Sequence, residues 1–154
     1  YYYILSKITL IKYTMKITLA SNRHLSILVK LDTYAQQNPS RTDEIDVWLT
    51  NQAVYLLEVK SEIIGYGVVH RHFFGQQFIE LVMIAKEHRG KGYGKKLITY
   101  FQQKIATEKL FTSTNQSNVP MQNLFIQLGF VESGYIENLD EGDAELIFCF
   151  IKNH

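Results

Sequence analysis

The chain is short of several things, and each shortage removes a class of function. Its single cysteine, Cys149, excludes an internal disulfide and, with no Cys/His cluster, argues against a structural zinc site. Cys149 stands in the apolar run Leu146-Ile147-Phe148-Cys149-Phe150-Ile151 and reads as a small core residue rather than a nucleophile. Charge of one sign is also missing. Lys+Arg number 16 against 15 Asp+Glu, a net charge of +1, too balanced for a generic binder of polyanions such as nucleic acid. No internal repeat or linker divides the 154 residues, so one domain with a substantial core is expected. Ten Tyr and nine Phe supply ample surface for burial.

The first fourteen residues, Tyr1 to Thr14, are apolar with Lys7 and Lys12 interspersed. They are too short and interrupted for a membrane span and lack a signal-peptide cleavage site. They read as an upstream leader or an extra edge strand, with one domain running from Met15 to His154. With no targeting signal in view, a cytoplasmic location and no membrane partner are expected.

What is present centres on Glu87-His88-Arg89-Gly90-Lys91-Gly92-Tyr93-Gly94-Lys95-Lys96. This run follows the apolar stretch from Phe78 to Ile84 and precedes a helical pattern with Leu97, Ile98, Phe101 and Ile105 on one face. Three alternating glycines let the backbone turn tightly and approach a ligand closely. A helix starting here aims unpaired N–H groups and its positive dipole end into the loop. With Arg89, Lys91, Lys95 and Lys96 nearby, a phosphate or pyrophosphate ligand is expected; a lysine-bearing surface turn is the alternative. The spacing is not that of a P-loop, because Arg89 stands five positions before Gly94 and Lys95 is followed by Lys96. Nor is it a dinucleotide fingerprint, because Lys95 stands three after Gly92.

Elsewhere the chain alternates. A strand is expected at 15–20, a helix at 22–37 capped by Ser21, and a short helix from Pro39-Ser40 to about Thr50. Three strands in hairpin succession follow at about 53–59, 62–72 and 77–84. Then come the glycine loop, a helix to about Thr107, a strand at 109–114 and a helix from Asn118. That helix has Ser117 or Asn118 as cap, Pro120 in its first turn and Gly129 as its stop. Strands at about 130–138 and 144–151 flank a turn from Leu139 to Asp143. This order implies a mixed α/β fold, a twisted central sheet with helices on both faces.

The spacing that does fit is Arg-x-x-Gly-x-Gly, written by Arg89, Gly92 and Gly94. It resembles the pyrophosphate-binding motif of the GNAT superfamily of acyl-coenzyme-A-dependent N-acyltransferases. A second segment, Asn118 to Phe130, is similar to the family's later Asn…Leu-Tyr…Leu-Gly-Phe helix, matching at Asn118, Leu124, Leu128, Gly129 and Phe130. The resemblance covers about Met15 to the C-terminus. It implies a mostly antiparallel sheet of six to seven strands, acetyl-CoA as co-substrate, no metal, and a small-molecule or peptide amine as acceptor. Homodimers are common among relatives.

The resemblance also implies roles. The coenzyme would lie between splayed fourth and fifth strands, its pyrophosphate on Arg89, Gly90, Lys91, Gly92, Tyr93 and Gly94. Val82, Met83 and Ile84 would pair with the pantetheine arm as an added strand does, one N–H polarising the thioester carbonyl. Asn118 and Phe125 would flank the far end. An amine starting near pKa ~10.4 must lose a proton before it attacks. Glu80 is the candidate base, because it interrupts the apolar strand just before the coenzyme stretch, on the same face as Val82 and Ile84 by strand alternation. Phe125 departs from the family, which usually has there the Tyr that protonates the leaving thiolate. Water, Ser117 or Asn118 are the substitutes; a non-catalytic acyl-CoA binder is the alternative function, and a phosphate or nucleic-acid binding module a more distant one. The acidic group Glu137, Asp140, Glu141, Asp143 and Glu145 could draw a cationic amine, although a solvated turn explains it as well. His70 and His72, on one face of the third strand, could line an acceptor pocket; two histidines alone lack the further ligands of a metal site.

Overall fold

A computed structural model describes residues 14–152. Residues 1–13, on which the expected leader falls, lie outside it. One seven-stranded sheet organises the described residues, in the order β1-β2-β3-β4-β5-β7-β6. Its strands are β1 (Met15–Leu19), β2 (Val54–Val59), β3 (Glu62–Phe73), β4 (Gln76–Ile84), β5 (Lys109–Asn115), β6 (Val131–Asp140) and β7 (Asp143–Ile151). All neighbours are antiparallel except β4 and β5. This is the expected mixed α/β class, with the helices on both faces.

Two helices cover one face. These are α1 (Leu25–Leu31), which follows a 3₁₀ turn at Asn22–His24, and α2 (Ser40–Thr50). Leu28, Ile45 and Leu49 from these helices pack on Leu56, Tyr66 and Val68 of the sheet. The other face carries α3 (Tyr93–Lys104) and α4 (Val119–Gln127). Leu97, Ile98 and Phe101, at the helical spacing legible in the sequence, meet Leu110, Phe125, Phe130 and Phe148 there. Each such burial stabilises the fold by about 1.5–3 kcal/mol. The seat of α3 needs a glycine beneath it: a Cβ on Gly67 would stand 2.6 Å from the Phe101 ring.

The helix expected over 22–37 is shorter, and Asp32 is the reason. Its Oδ1 accepts the backbone N–H groups of Tyr34 (2.8 Å) and Ala35 (3.1 Å), which a continuing helix would need for its own ladder. The Tyr66 hydroxyl donates to Asp32 Oδ2 at 2.6 Å, and Arg41 Nη1 lies 3.6 Å from the same oxygen. Fully buried, Asp32 therefore pins the α1–α2 loop to the middle of the sheet. Burial first, and Asp32 second, push the Tyr66 phenol far above its ordinary range. Two smaller boundaries also move. α3 stops at Lys104, where Ile105 turns extended and the Gln77 side chain accepts the Ala106 N–H at 2.6 Å. The last hairpin turns on Glu141-Gly142, with Asp140 paired to Asp143, rather than over five residues.

Candidate active site

β4 and β5 supply the opening in the sheet. Their parallel ladder holds only from Gln77↔Leu110 to Ile79↔Thr112. At the last pair the buried Thr112 hydroxyl donates to the Ile79 carbonyl at 3.1 Å, closing the ladder where the strands part. Beyond it a cleft of about 620 Å³ is lined by Val82, Met83 and Ile84 along one wall, by Arg89, Gly90, Gly92, Tyr93 and Gly94 at one end, and by Met121 and Leu124 of α4. A narrower hollow of about 190 Å³ adjoins it through the shared Val82 and Met121, and Glu80, Thr114, Asn118 and Phe125 line that hollow. Of the residues expected to hold the coenzyme or take the proton, all but Lys91 line one of these two spaces; His70, His72, Ser117 and the acidic residues of the last hairpin line neither.

The glycine loop is built for an anion. Gly90 and Gly92 take φ of 74° and 82°, left-handed values that any other residue adopts at a cost. Gly92 sits at the N-cap of α3, so Tyr93 and Gly94 fall in the first turn, where no carbonyl one turn back is available. Among the described residues, the N–H groups of Gly90, Lys91 and Gly92 also donate to no backbone carbonyl. The loop therefore offers several N–H donors and the positive end of α3 to one place. Gly94 faces Val82 of β4, where a Cβ would stand 3.8 Å away, an ordinary contact.

Arg89 is arranged differently from a simple phosphate clamp. Its Nε donates to the Ile84 carbonyl at 2.8 Å and its Nη2 to Thr33 Oγ1 at 2.8 Å. The side chain thus ties the end of β4 to the α1–α2 loop while still lining the cleft. Thr33 lines the cleft, 56 residues away in sequence, and no sequence signal marks it. Met121 had no signal either. Tyr93 packs beside Ile84, and Lys96 Nζ lies 5.4 Å from its ring centroid.

Phe125 is buried among Phe130 and Phe148, with ring centroids 5.5 and 5.3 Å away, and offers no proton donor to the hollow it helps to line. The two neighbours considered as substitutes differ. Ser117 Oγ donates to Asp143 Oδ2 at 2.5 Å and is already engaged. Asn118 accepts the Met121 N–H on its side-chain oxygen at 3.3 Å as the α4 cap, and among the described residues its side-chain amide N–H groups have no partner; the residue lines the hollow. Asp140 is occupied by Asn115 at 2.7 Å, so part of the acidic hairpin serves to hold the β5–α4 loop.

Glu80 does not follow the alternation expected of it. Val68 pairs with Leu81 but Val69 pairs with Ile79, which makes Glu80 the extra residue of a β-bulge. Val82 packs with the α3 cluster and Ile84 with Tyr93, whereas Glu80 Oε2 meets His70 Nε2 at 3.0 Å. The bulge re-aims the carboxylate. Away from the cleft, Glu62, Glu87 and His88 bring metal-capable atoms within 4.8 Å of one another near the surface, an arrangement common without any ion.

Comparison with known proteins follows this geometry. The model of the Acetyltransferase (GNAT) family matches residues 23–130. The fold is similar to that of a GNAT-family acetyltransferase from Bacillus cereus ATCC 10987, at 33% identity and TM-score 0.82, over 92% of this chain and 99% of that one. A Salmonella typhimurium protein solved with its cofactor acetyl-CoA aligns at 17% identity and TM-score 0.72, over 92% and 96%. A spermidine N-acetyltransferase chimera with a Vibrio cholerae component aligns at 19% and 0.73, over 89% and 95%. Comparison with curated protein sequences gives no match. Among the described residues no helix is long and apolar enough to cross a membrane. The parted β4 and β5, the glycine-capped α3 and the family match together make this chain a member of the GNAT family of acetyltransferases.

Proposed function

We propose that the chain transfers an acetyl group from acetyl-CoA to a primary amine by direct attack in a ternary complex. The observation that carries this reading is the cleft beyond the parted β4 and β5, lined by the glycine loop, with the adjoining hollow that Glu80 helps to line. The pyrophosphate would rest on the amides of residues 90–94. The pantetheine arm would add itself along Val82, Met83 and Ile84, with one backbone N–H on the thioester oxygen. Such a donor contributes roughly 10²–10³-fold when it is aimed at the forming oxyanion. Glu80 takes the ammonium proton, directly or through water, and the neutral amine attacks the carbonyl carbon. The tetrahedral intermediate then expels the thiolate.

Phe125 supports a second reading, a protein that binds acyl-CoA without turning it over. Against that reading, a thiol near pKa ~8.5 leaves tolerably without a dedicated acid, and the Asn118 amide stands in the same hollow. Calorimetric titration with acetyl-CoA, using ATP as control, tests the cleft. Thiol release with a panel of primary amines, spermidine among them, tests the transfer. Binding without release from any amine would select the second reading; no binding by a folded protein would remove both.

A further inference from the structure

Glu80 is one half of a pair, and its partner has a fixed form. His70 Nε2 lies 3.0 Å from Glu80 Oε2, while His70 Nδ1 lies 3.0 Å from the backbone N of His72. A backbone N–H can only donate, so Nδ1 must be the accepting, unprotonated nitrogen. The proton of the neutral ring then sits on Nε2 and points at Glu80. The ring is held in plane by stacking on Phe78, 5.5 Å between centroids at 24°, and by His72 on the other side at 5.3 Å and 24°. Phe78 is buried and anchors the stack.

This is more than a surface ion pair, which contributes little. The β-bulge makes Glu80 the unpaired residue of β4 and turns it toward His70, and the same residue lines the hollow at the end of the cleft. Oε2 is occupied by the imidazole N–H. Among the described residues Oε1 has no hydrogen-bond partner, and it remains to receive a proton.

We propose that His70, locked as the Nε2–H tautomer by the His72 backbone, is the positioning residue that holds Glu80 as proton acceptor for the attacking amine. The inference rests on the role given to Glu80 above. In the step itself an N–H bond of the substrate ammonium breaks, its electron pair stays on nitrogen, and the O–H bond forms on Glu80. His70 keeps its own proton throughout, and the Glu80 proton passes afterwards to water or to the departing thiolate. Fixing one carboxylate oxygen confines the other to a narrow arc. A misplacement of about 1 Å at a reacting group can cost roughly 10²-fold.

Thiol release from acetyl-CoA, with spermidine and an Nα-blocked lysine peptide as probe amines, tests this in four proteins. These are wild type, Glu80→Gln, His70→Ala and the double variant, with His70→Gln as a fifth because the glutamine amide reaches the Nε2 position. The expected result is a kcat loss of about 10–10²-fold for His70→Ala with unchanged acetyl-CoA affinity, and substantial recovery in His70→Gln. His70→Ala should have no further effect in the Glu80→Gln background, because the two act as one unit. Imidazole ¹⁵N spectra of the free protein should show His70 as the Nε2–H tautomer. A large Glu80→Gln loss with no loss in His70→Ala, or additive losses, overturns this inference and leaves Glu80 standing. No loss in Glu80→Gln overturns the parent reading as well. Acetyl-CoA binding without thiol release from either probe does the same.

Discussion

Two carboxylates stand near the cleft, Asp32 next to the lining residue Thr33 and Glu80 in the adjoining hollow, and they are used in opposite ways. Asp32 is fully buried, with the Tyr66 hydroxyl, two backbone N–H groups and the Arg41 guanidinium around it. Glu80 has a side chain 42% exposed and a single partner, His70. A buried carboxylate with both oxygens hydrogen-bonded is a structural tie; one with a free oxygen beside a cleft is available for proton transfer. The two regions remain connected. The loop that Asp32 anchors carries Thr33, and Thr33 holds the Arg89 that braces the end of β4.

The largest effect that separates the two regions is expected from Glu80→Gln. Turnover should fall roughly 10²–10⁴-fold while calorimetric acetyl-CoA affinity and melting temperature stay near wild type. Asp32→Ala should do the reverse. Removing the buried hub leaves the Tyr66 hydroxyl and the Tyr34 and Ala35 N–H groups without their acceptor and Arg41 with Glu44 as its remaining carboxylate, at a cost of about 3–5 kcal/mol in chemical denaturation. Equal stability of wild type and Asp32→Ala would refute the structural role. Gly92→Ala strikes the loop itself, because φ of 82° is strained for an L-residue by about 1–2 kcal/mol. That strain should appear as weaker acetyl-CoA binding with Glu80 chemistry otherwise intact.

A pH scan sharpens the same contrast. An unfolded tyrosine ionises near pKa ~10, while the buried Tyr66 resists ionisation to well above that. The unfolded state therefore releases a proton first, and stability falls as pH rises past about 10, by about 1.4 kcal/mol per unit. Thermal melts at alkaline pH should show the decline, and Tyr66→Phe should flatten it. The smallest change is expected from Phe125→Tyr. Acetyl-CoA affinity should stay within about threefold, since roughly 0.7 kcal/mol covers one added hydroxyl at the edge of a hollow. A much larger loss would mean that the ring fills the space assigned to the thiol.

Local chemistry explains which features were legible from the sequence. A glycine-spaced loop before an amphipathic helix, and an Asn-x-Pro start with a Gly stop, are written in consecutive residues, and both stand where expected at α3 and α4. Helix α1 ends short of the expected 22–37 because Leu25, Leu28 and Leu31 keep helical spacing only up to Asp32, whose Oδ1 takes the Tyr34 and Ala35 N–H groups while Tyr66, 34 residues away, holds its other oxygen in the core. Glu80 was marked by its interruption of an apolar run, yet its direction was misjudged. A bulge depends on the register with the neighbouring strand, and no single strand carries that information.

By itself, then, the sequence determined the family, the order of the elements and the glycine-capped start of the helix after β4. Each of these depends on backbone preferences and spacings of a few residues. Only the tertiary structure decided what these residues touch: Arg89 tied to Ile84 and Thr33, Asp32 as a hub, Thr33 as part of the cleft, and Glu80 turned onto His70. Those assignments depend on contacts between strands and loops distant in the chain. Which hydrogen-bond donor reaches which carboxylate is settled by packing, after propensity has done its part.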